Sequence, residues 1–367
     1  MISIVIPTYK EAAVIQETLR RAAKALQTAG ESYELIVVDD LSPDGTADLA
    51  EGLAPELPVR VLRRGGRLGL ATAVLDGWKI ARGDVLGVMD ADLQHPPEVL
   101  AGLSKALRDP QVGLVIGSRY TAGGGLGDWS LVRKFISWGA THLAASVLPL
   151  ALAGVTDPMS GIFLVRASAL EKVDLNPLGY KILLEVLAKG RYGKRTEVPF
   201  VFEQRTHGSS KLGPQQYVEY LRHLARLAHS TGQLAAWVRY GLVGLAGATI
   251  NVALLHFLVT EQGWPLGGAL PTAIGLALLS NFLWNETLTF RNQEGEAQAR
   301  PGTVHRLAEY GRACVSGALM NAGVTLVLTS LGVELVPACV FGVLAGGVWN
   351  YALNVPSIWR VWTSRRG

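Results

Sequence analysis

The sequence predicts an α/β domain with a Rossmann-like, mainly parallel sheet, followed by an all-α transmembrane domain of four helices. From residue 1 to about 205, short β-branched runs alternate with helical patterns, which is typical of βαβ units. Residues 233–290 then contain only three charged side chains, Arg239, Glu261 and Glu286. This apolar second part explains why the 367-residue chain is 49% hydrophobic and only 17% charged.

Seven β-branched runs are predicted strands of the first domain. They are Ile2–Ile6, Glu34–Val38, Val59–Leu62, Asp84–Met89, Gly113–Gly117, Ile162–Val165 and Glu197–Phe202. Between the first two runs, residues 11–29 carry apolar side chains at helical spacing, and a further helix is predicted over 70–81. Ligands of such sheets bind at the carboxyl ends of the strands, so the functional residues are expected there.

Four later segments are long enough to span a bilayer, which needs about 20 apolar residues. They are 236–260, 266–289, 312–333 and 335–358. The loop between the first and second spans and the loop between the third and fourth spans contain no Lys or Arg. These residues occur instead before the first span, between the second and third, and after the fourth. Since positive charge favours the cytoplasmic side, we expect a multi-pass protein with both termini and the first domain in the cytoplasm.

The membrane segment repeats itself. Tyr240-Gly241 and the stretch 281–285 recur about seventy residues later as Tyr310-Gly311 and 350–354, which predicts two parallel helical hairpins. Asparagine in hydrocarbon is costly unless paired, so interhelical hydrogen bonds are favoured over a transport or lipid site. We expect this domain to anchor the protein, with any homo-oligomer forming through it.

Two further segments are expected at the membrane surface. Residues 131–152 predict an interfacial amphipathic helix, because a single span there would break the charge pattern of the loops. Residues 212–232 predict a juxtamembrane amphipathic helix between a domain over 1–211 and the transmembrane domain over 233–367. The net charge of +4 reflects basic residues beside apolar spans, so membrane lipids rather than nucleic acid are the expected partner.

Acidic and amide side chains follow three predicted strands. Asp90, Asp92 and Gln94 follow one strand and offer the hard oxygen ligands that Mg²⁺ or Mn²⁺ prefers. Asp39 and Asp40 end a second strand, where carboxylates suit ribose hydroxyls or base edges. The first strand ends at Pro7, Tyr9 and Glu11. A lone Asp-x-Asp is also compatible with a turn and helix cap, but three such strand ends together indicate a nucleotide-sugar site with a metal.

The motifs of this domain resemble family 2 glycosyltransferases of the GT-A fold, and within them the polyprenyl-phosphate mannose synthases. The matching stretches are MDADLQHPPE (89–98), GSRY (117–120), LNPLGYKILLE (175–185), EVPFVFEQRTHGSSKL (197–212) and EYLRHLARL (219–227). NFLWNETLTF (281–290) resembles the four-helix membrane domain that accompanies bactoprenol glucosyltransferases. Where that family usually has a basic residue, this chain has Glu286.

The resemblance implies roles for individual residues. Nucleoside contacts are implied for Pro7, Tyr9, Glu11, Val38 and Asp40. Diphosphate and metal contacts are implied for Asp90, Ala91, Asp92 and Gln94. Acceptor-phosphate contacts are implied for Arg119, Arg133, Arg205 and Lys211, which with Asp92 form the expected catalytic set. Cations also suit a monophosphate on physical grounds, because arginine binds phosphate bidentately. Asp157 and Glu185 could accept hydrogen bonds from sugar hydroxyls.

The resemblance therefore implies an inverting, metal-dependent transfer of mannose from GDP-mannose to a polyprenyl or dolichyl monophosphate. A transferase that uses UDP-glucose shares this logic and is the nearest alternative. A lipid-linked sugar flippase, with the first domain as a binding module, is the alternative of another class.

Overall fold

The computed structural model describes residues 1–204, 214–290 and 302–357. The chain divides into two compact units. The first comprises Met1–Leu143 and Gly154–Leu227, and the second comprises Ala144–Ala153 and the described part of Ala228–Ser364.

A seven-stranded sheet forms the centre of the first unit. Its strands are β1 (Ile2–Thr8), β2 (Tyr33–Asp39), β3 (Val59–Arg63), β4 (Val85–Val88), β5 (Val112–Ser118), β6 (Phe163–Arg166) and β7 (Lys194–Pro199). Their order is β3-β2-β1-β4-β6-β5-β7, and only β6 runs antiparallel to its neighbours. All seven predicted strands are present, and the predicted mainly parallel α/β class is confirmed.

Eight α-helices lie along the described part of the chain up to Ser230, and the first four pack against strands of the sheet. They are α1 (Ile15–Thr28), α2 (Thr46–Glu51), α3 (Leu70–Ile80), α4 (Val99–Ala106), α5 (Leu131–Val147), α6 (Pro149–Leu152), α7 (Ile182–Lys189) and α8 (Pro214–Ser230). Helix α1 places Leu19 and Leu26 against Ile4 and Ile6 of β1, and all four side chains are fully buried. The apolar spacing that predicted this helix is therefore the spacing of its buried face.

The predicted interfacial helix 131–152 is divided into α5 and α6. The break falls at Leu148, whose backbone leaves the helical region at φ −123° and ψ 51°. Leu148 precedes Pro149, and a residue before proline avoids the helical conformation because the proline ring crowds it. Leu131, Ile136 and Trp138 of α5 expose large apolar surfaces.

The second unit contains four long helices, α9 (Gln233–His256), α10 (Leu266–Trp284), α11 (Thr303–Ser330) and α12 (Leu335–Ser357). Among the described residues, three helical stretches are long and apolar enough to cross a membrane: Gln233–Glu261, Leu266–Thr289 and Thr303–Ser330. The third stretch begins nine residues before the predicted span, because the predicted apolar span left out the charged first turns of this helix. One of these charged side chains, Arg306, pairs with Glu286 at 2.6 Å. The predicted fourth span ends at 358, outside the described residues.

The sequence repeat recurs in the contacts of these helices. Gly247 lies against the Asn281 amide, and Gly317 lies against the Asn350 amide in the matching position. The amide of Asn354 donates a hydrogen bond to the Tyr240 hydroxyl at 2.8 Å. These contacts agree with the interpretation that the intramembrane asparagines pair helices.

Candidate active site

The order of the sheet brings the predicted acidic strand ends together. Strands β2, β1 and β4 are neighbours and parallel, so their carboxyl ends share one edge. Pro7 of β1 pairs in register with Val38 of β2. Asp39 is the last residue of β2, and Asp90 follows β4 on the other side of β1. The sequence-predicted nucleotide and metal residues therefore lie along one edge of the sheet.

Asp90 and Asp92 lie on the loop after β4 with Gln94 and His95. An oxygen of Asp92 accepts a hydrogen bond from the Gln94 backbone N–H at 3.1 Å, and the side chain of Asp90 is about a quarter exposed. Among the described residues, no group of three or more His, Cys, Asp or Glu side chains could hold a metal ion. Two carboxylates and an amide nevertheless fit Mg²⁺ or Mn²⁺, because such ions often take one or two protein carboxylates and complete their shell with phosphate and water.

His95 is a buried neighbour of Asp90 that the sequence analysis did not identify. Its Nε2 accepts a long hydrogen bond from the Gly161 N–H at 3.4 Å, so Nδ1 carries the proton and faces Asp90 Oδ2 at 3.5 Å. Burial, together with the charges of Arg119 and Lys181, holds the pKa of His95 well below its usual value. The imidazole is therefore neutral and packs beside the Asp90 carboxylate.

Gly161 allows this close packing. A methyl group at this position would collide with the Asp90 carboxylate and the His95 ring. The segment before β6 therefore lies directly on the loop after β4, which joins the two halves of the site.

Arg119 and Asp157 form a buried bidentate pair. Nε and Nη2 of Arg119 each donate to the carboxylate at 2.7 Å, and the Arg119 backbone N–H donates to it at 3.0 Å. Burial alone would lower the pKa of Arg119, but the hydrogen bonds and charge of Asp157 outweigh it and raise the pKa. Asp157 is fully buried and its oxygens accept these bonds, so it orients Arg119. The contact with a sugar hydroxyl that the sequence analysis expected of Asp157 stays a prediction.

Aromatic rings hold the neighbouring cations. The guanidinium of Arg133 lies 4.1 Å from the centre of the Trp129 ring and 5.5 Å from that of Phe202, and Arg119 lies 5.3 and 5.5 Å from the same two rings. We call Arg119, Arg133, Trp129 and Phe202 the arginine–aromatic cluster. It places two positive charges side by side; their expected contact with an acceptor phosphate stays a prediction. Arg205 and Lys211, predicted for the same role, lie outside the described residues.

The carboxylates at the end of β2 hold the surrounding loops. Asp40 accepts hydrogen bonds from Arg64 at 2.5 Å and from the Gly69 N–H at 2.9 Å. Asp39 accepts bonds from Thr8 and Ser42, the shortest at 2.6 Å. These acids thus hold the turns around the end of β2, where the sequence analysis expected the nucleotide.

Three other predicted nucleotide residues surround that end. The Tyr9 ring lies 4.6 Å from the guanidinium of Arg67. Glu11 donates its backbone N–H to Thr46 at 3.0 Å, and the carbonyl of buried Ala91 accepts a bond from Thr18 at 2.9 Å. The backbone of this region is therefore tied to α1 and α2.

Glu185, which the sequence analysis expected at the sugar, lies in a buried contact between helices. Its carboxylate is fully buried and accepts bonds from His223 of α8 at 2.7 Å and from the Asn176 N–H at 2.9 Å, and it pairs with Lys189 at 2.6 Å. Burial alone would raise the pKa of Glu185, but these bonds lower it to about 2. The residue therefore joins α8 to α7.

Lys181, at the start of α7, is the second residue that the sequence analysis missed. Its ammonium donates to the Met159 carbonyl at 2.7 Å. Burial and the nearby Arg119 lower the pKa of Lys181 to about 8, against the opposite effect of Asp90 and Asp157. Its position as a lysine directly before the apolar stretch at 182–188 was a signal for it in the sequence.

Comparison with known proteins agrees with this geometry. Residues 3–174 match the family model for glycosyl transferase family 2, and residues 239–359 match the GtrA/DPMS transmembrane domain. The chain shares its fold with mannosyl-3-phosphoglycerate synthase from Rubrobacter xylanophilus, at a TM-score of 0.50 and 20% identity over 63% of this chain and 75% of that one. Fold, site and matches together define a membrane-bound glycosyltransferase.

Full-length relatives narrow this class. Dolichol-phosphate mannosyltransferase from Pyrococcus furiosus is 41% identical over 98% of this chain and 99% of its own length. The Saccharomyces cerevisiae protein of the same name is 39% identical over 61% of this chain and 86% of its own. The chain belongs to the dolichol-phosphate mannosyltransferase family.

Proposed function

We propose that the protein transfers mannose from GDP-mannose to a polyprenyl or dolichyl monophosphate, with inversion, at the cytoplasmic face of a membrane. The observation that carries this proposal is that acidic side chains suited to a metal and basic side chains suited to a phosphate interact within the first unit. Carboxylates suited to a metal and a diphosphate lie at Asp90 and Asp92, and Asp90 and Asp157 act electrostatically on Arg119. Asp90, Arg119 and Arg133 all act electrostatically on the Lys181 ammonium. The name shared by the relatives supports polyprenyl-phosphate mannose synthesis.

Asp90, Asp92 and Gln94 would hold a divalent ion, Mg²⁺ or Mn²⁺. Such an ion supplies charge neutralisation to the leaving diphosphate. His95 and Gly161 pack against Asp90 and limit the space available to its carboxylate, which supports this role. Ala91 lies between the two acids and completes the proposed diphosphate contacts.

The nucleoside would lie at the ends of β1 and β2. We propose that Pro7, Tyr9, Glu11 and Val38 contact it, with Asp39 and Asp40 supporting the loops around it. Tyr9 offers an aromatic face beside Arg67. Stacking and polar contacts of this kind would distinguish one base from another.

The acceptor phosphate would be bound by Arg119 and Arg133, with Arg205 and Lys211 from the segment outside the described residues. Asp157 holds the Nε/Nη2 edge of Arg119, so the opposite edge of the guanidinium faces away from that carboxylate. A phosphate monoester has a second pKa of about 6 and is largely ionised at neutral pH, so its oxygen attacks without a general base. In-line displacement at the anomeric carbon then inverts an α-linked donor into a β-linked product.

We further propose that α9 to α12 are four spans with both termini in the cytoplasm. The distribution of Lys and Arg in the loops supports this orientation. Residues 131–152 would then lie at the membrane surface, and their exposed Leu131 and Trp138 suit an interface. This position would bring the lipid phosphate to the catalytic unit.

The test offers GDP-mannose and UDP-glucose in parallel, with Mn²⁺ and a short polyprenyl monophosphate, to detergent-purified protein. Labelled sugar in the lipid fraction from GDP-mannose alone is the expected result. Transfer from UDP-glucose alone would overturn the donor assignment, and transfer from neither would overturn the proposed activity. Asp92→Asn serves as the inactive reference.

A further inference from the structure

Lys181 lies where the metal half and the cationic half of the site meet. Its ammonium is held by the Met159 carbonyl at 2.7 Å, in the segment that runs from Asp157 to Gly161. One end of that segment is paired with Arg119, and the other end is packed on Asp90. The lysine is therefore tethered between the residues proposed for the donor diphosphate and those proposed for the acceptor.

The charges around Lys181 come from both halves. Arg119 and Arg133 repel its ammonium, while Asp90 and Asp157 attract it. The lysine also acts electrostatically on buried His95. The ammonium of Lys181 therefore interacts electrostatically with Asp90 of the proposed metal site and with Arg119 and Arg133 of the proposed acceptor site.

Two other lysines of the first unit each pair with a carboxylate, which is the contact expected of a structural lysine. Lys189 of α7 pairs with Glu185 at 2.6 Å, and Lys194 of β7 pairs with Asp109 at 3.2 Å. In the described part of the chain, no carboxylate lies within ion-pair distance of Lys181, and its hydrogen bond to the Met159 carbonyl uses one of its three N–H donors. Its buried ammonium is attracted by Asp90 and Asp157 only from beyond that distance, so a bound anion in direct contact would stabilise it further.

We propose that Lys181 is a catalytic residue whose ammonium contacts phosphate oxygens at the point of transfer, between the donor diphosphate and the acceptor monophosphate. This role rests on the proposed function. Two anions must approach the same anomeric carbon from opposite sides, and a cation between their binding sites offsets their repulsion. The bond from that carbon to the diphosphate oxygen breaks with its electron pair leaving on the nucleotide, while an acceptor oxygen forms the new bond. Lys181 keeps its proton throughout.

The experiment compares Lys181→Met, Lys181→Arg and wild type in detergent with Mn²⁺, GDP-mannose and polyprenyl monophosphate. Lys194→Met is the matched control, because that lysine is more than half exposed. Turnover is measured at saturating donor and acceptor, and the Kd of GDP with Mn²⁺ is measured by calorimetry on the same samples. Retained GDP binding also shows that each variant is folded.

We expect Lys181→Met to lower turnover about 100-fold, as loss of one charge-stabilising donor does in other enzymes, while the Kd of GDP changes less than about threefold. Lys181→Arg should regain at least about tenfold of that loss, and Lys194→Met should match wild type. Turnover of Lys181→Met within about threefold of wild type would overturn the role. Equal losses of turnover and GDP affinity without rescue by arginine would make the residue structural. Inactive wild type would instead overturn the proposed function itself.

Discussion

Replacing Glu185 with glutamine removes the negative charge from the buried contact that joins α7 to α8. Glu185 and His223 are both fully buried, and their side chains are 2.7 Å apart. The pKa of Glu185 falls from an ordinary 4.5 to about 2, which corresponds to about 3 kcal/mol of stabilisation at pH 7. Removing one partner of a buried ion pair costs a similar amount, about 3–5 kcal/mol.

The expected loss can be followed by thermal unfolding of the detergent-solubilised protein with tryptophan fluorescence. For a unit of this size, 3 kcal/mol corresponds to a Tm lower by roughly 6–12 °C. Because the folded protein has the lower pKa at Glu185, the stabilisation is complete above about pH 4.5 and is lost as the pH falls through about 2. The gap between wild type and Glu185→Gln should therefore be large at pH 7 and much smaller at pH 3.

The exposed Glu171 provides the control, and Glu171→Gln should leave the Tm unchanged. We also expect the KM for the donor sugar to be the same in Glu185→Gln and wild type, below the unfolding temperature. A Tm equal to wild type, or a donor KM raised about tenfold at constant Tm, would refute the structural role and return Glu185 to the sugar site.

Three further changes test other parts of the structure. Asp92→Asn should lower transfer at least about 100-fold and abolish the effect of Mn²⁺ on GDP affinity, measured by calorimetry; a fully active variant would remove the metal assignment. Gly161→Ala should weaken Mn²⁺ binding in the presence of GDP about tenfold, because the new methyl group displaces the Asp90 carboxylate, and an unchanged titration would contradict this contact. Gly317→Ala should destabilise the membrane unit by about 1–3 kcal/mol because its methyl group meets the Asn350 amide, whereas Gly311→Ala has open space; equal Tm values for the two would count against the repeat contact.

The seven strands were predictable because each is a short β-branched run. Such a run is the usual sequence signal of a strand that is buried on both faces of a parallel sheet. The direction of β6 was not predictable, since the same residues suit either orientation. The break at Leu148 was missed because apolar periodicity continues through 131–152, although Pro149 was a local signal for it.

The sequence predicted the location of residues at strand ends best. Asp90 and Asp92 follow an apolar run and lie at the edge of the sheet as expected. The partners of Asp157 and Glu185, which are Arg119 and His223, could not be read from the sequence because they come from other elements. A single charged residue such as Lys181 has no periodicity, so its place in the site depends on tertiary packing.

The most direct test of the central claim is the anomeric configuration of the lipid product. Purified protein would be supplied with ¹³C-labelled GDP-mannose, Mn²⁺ and polyprenyl monophosphate, and the extracted lipid would be analysed by NMR. Direct displacement at the proposed site predicts β-linked mannosyl phosphate. An α-linked product, or no mannose in the lipid at all, would contradict it.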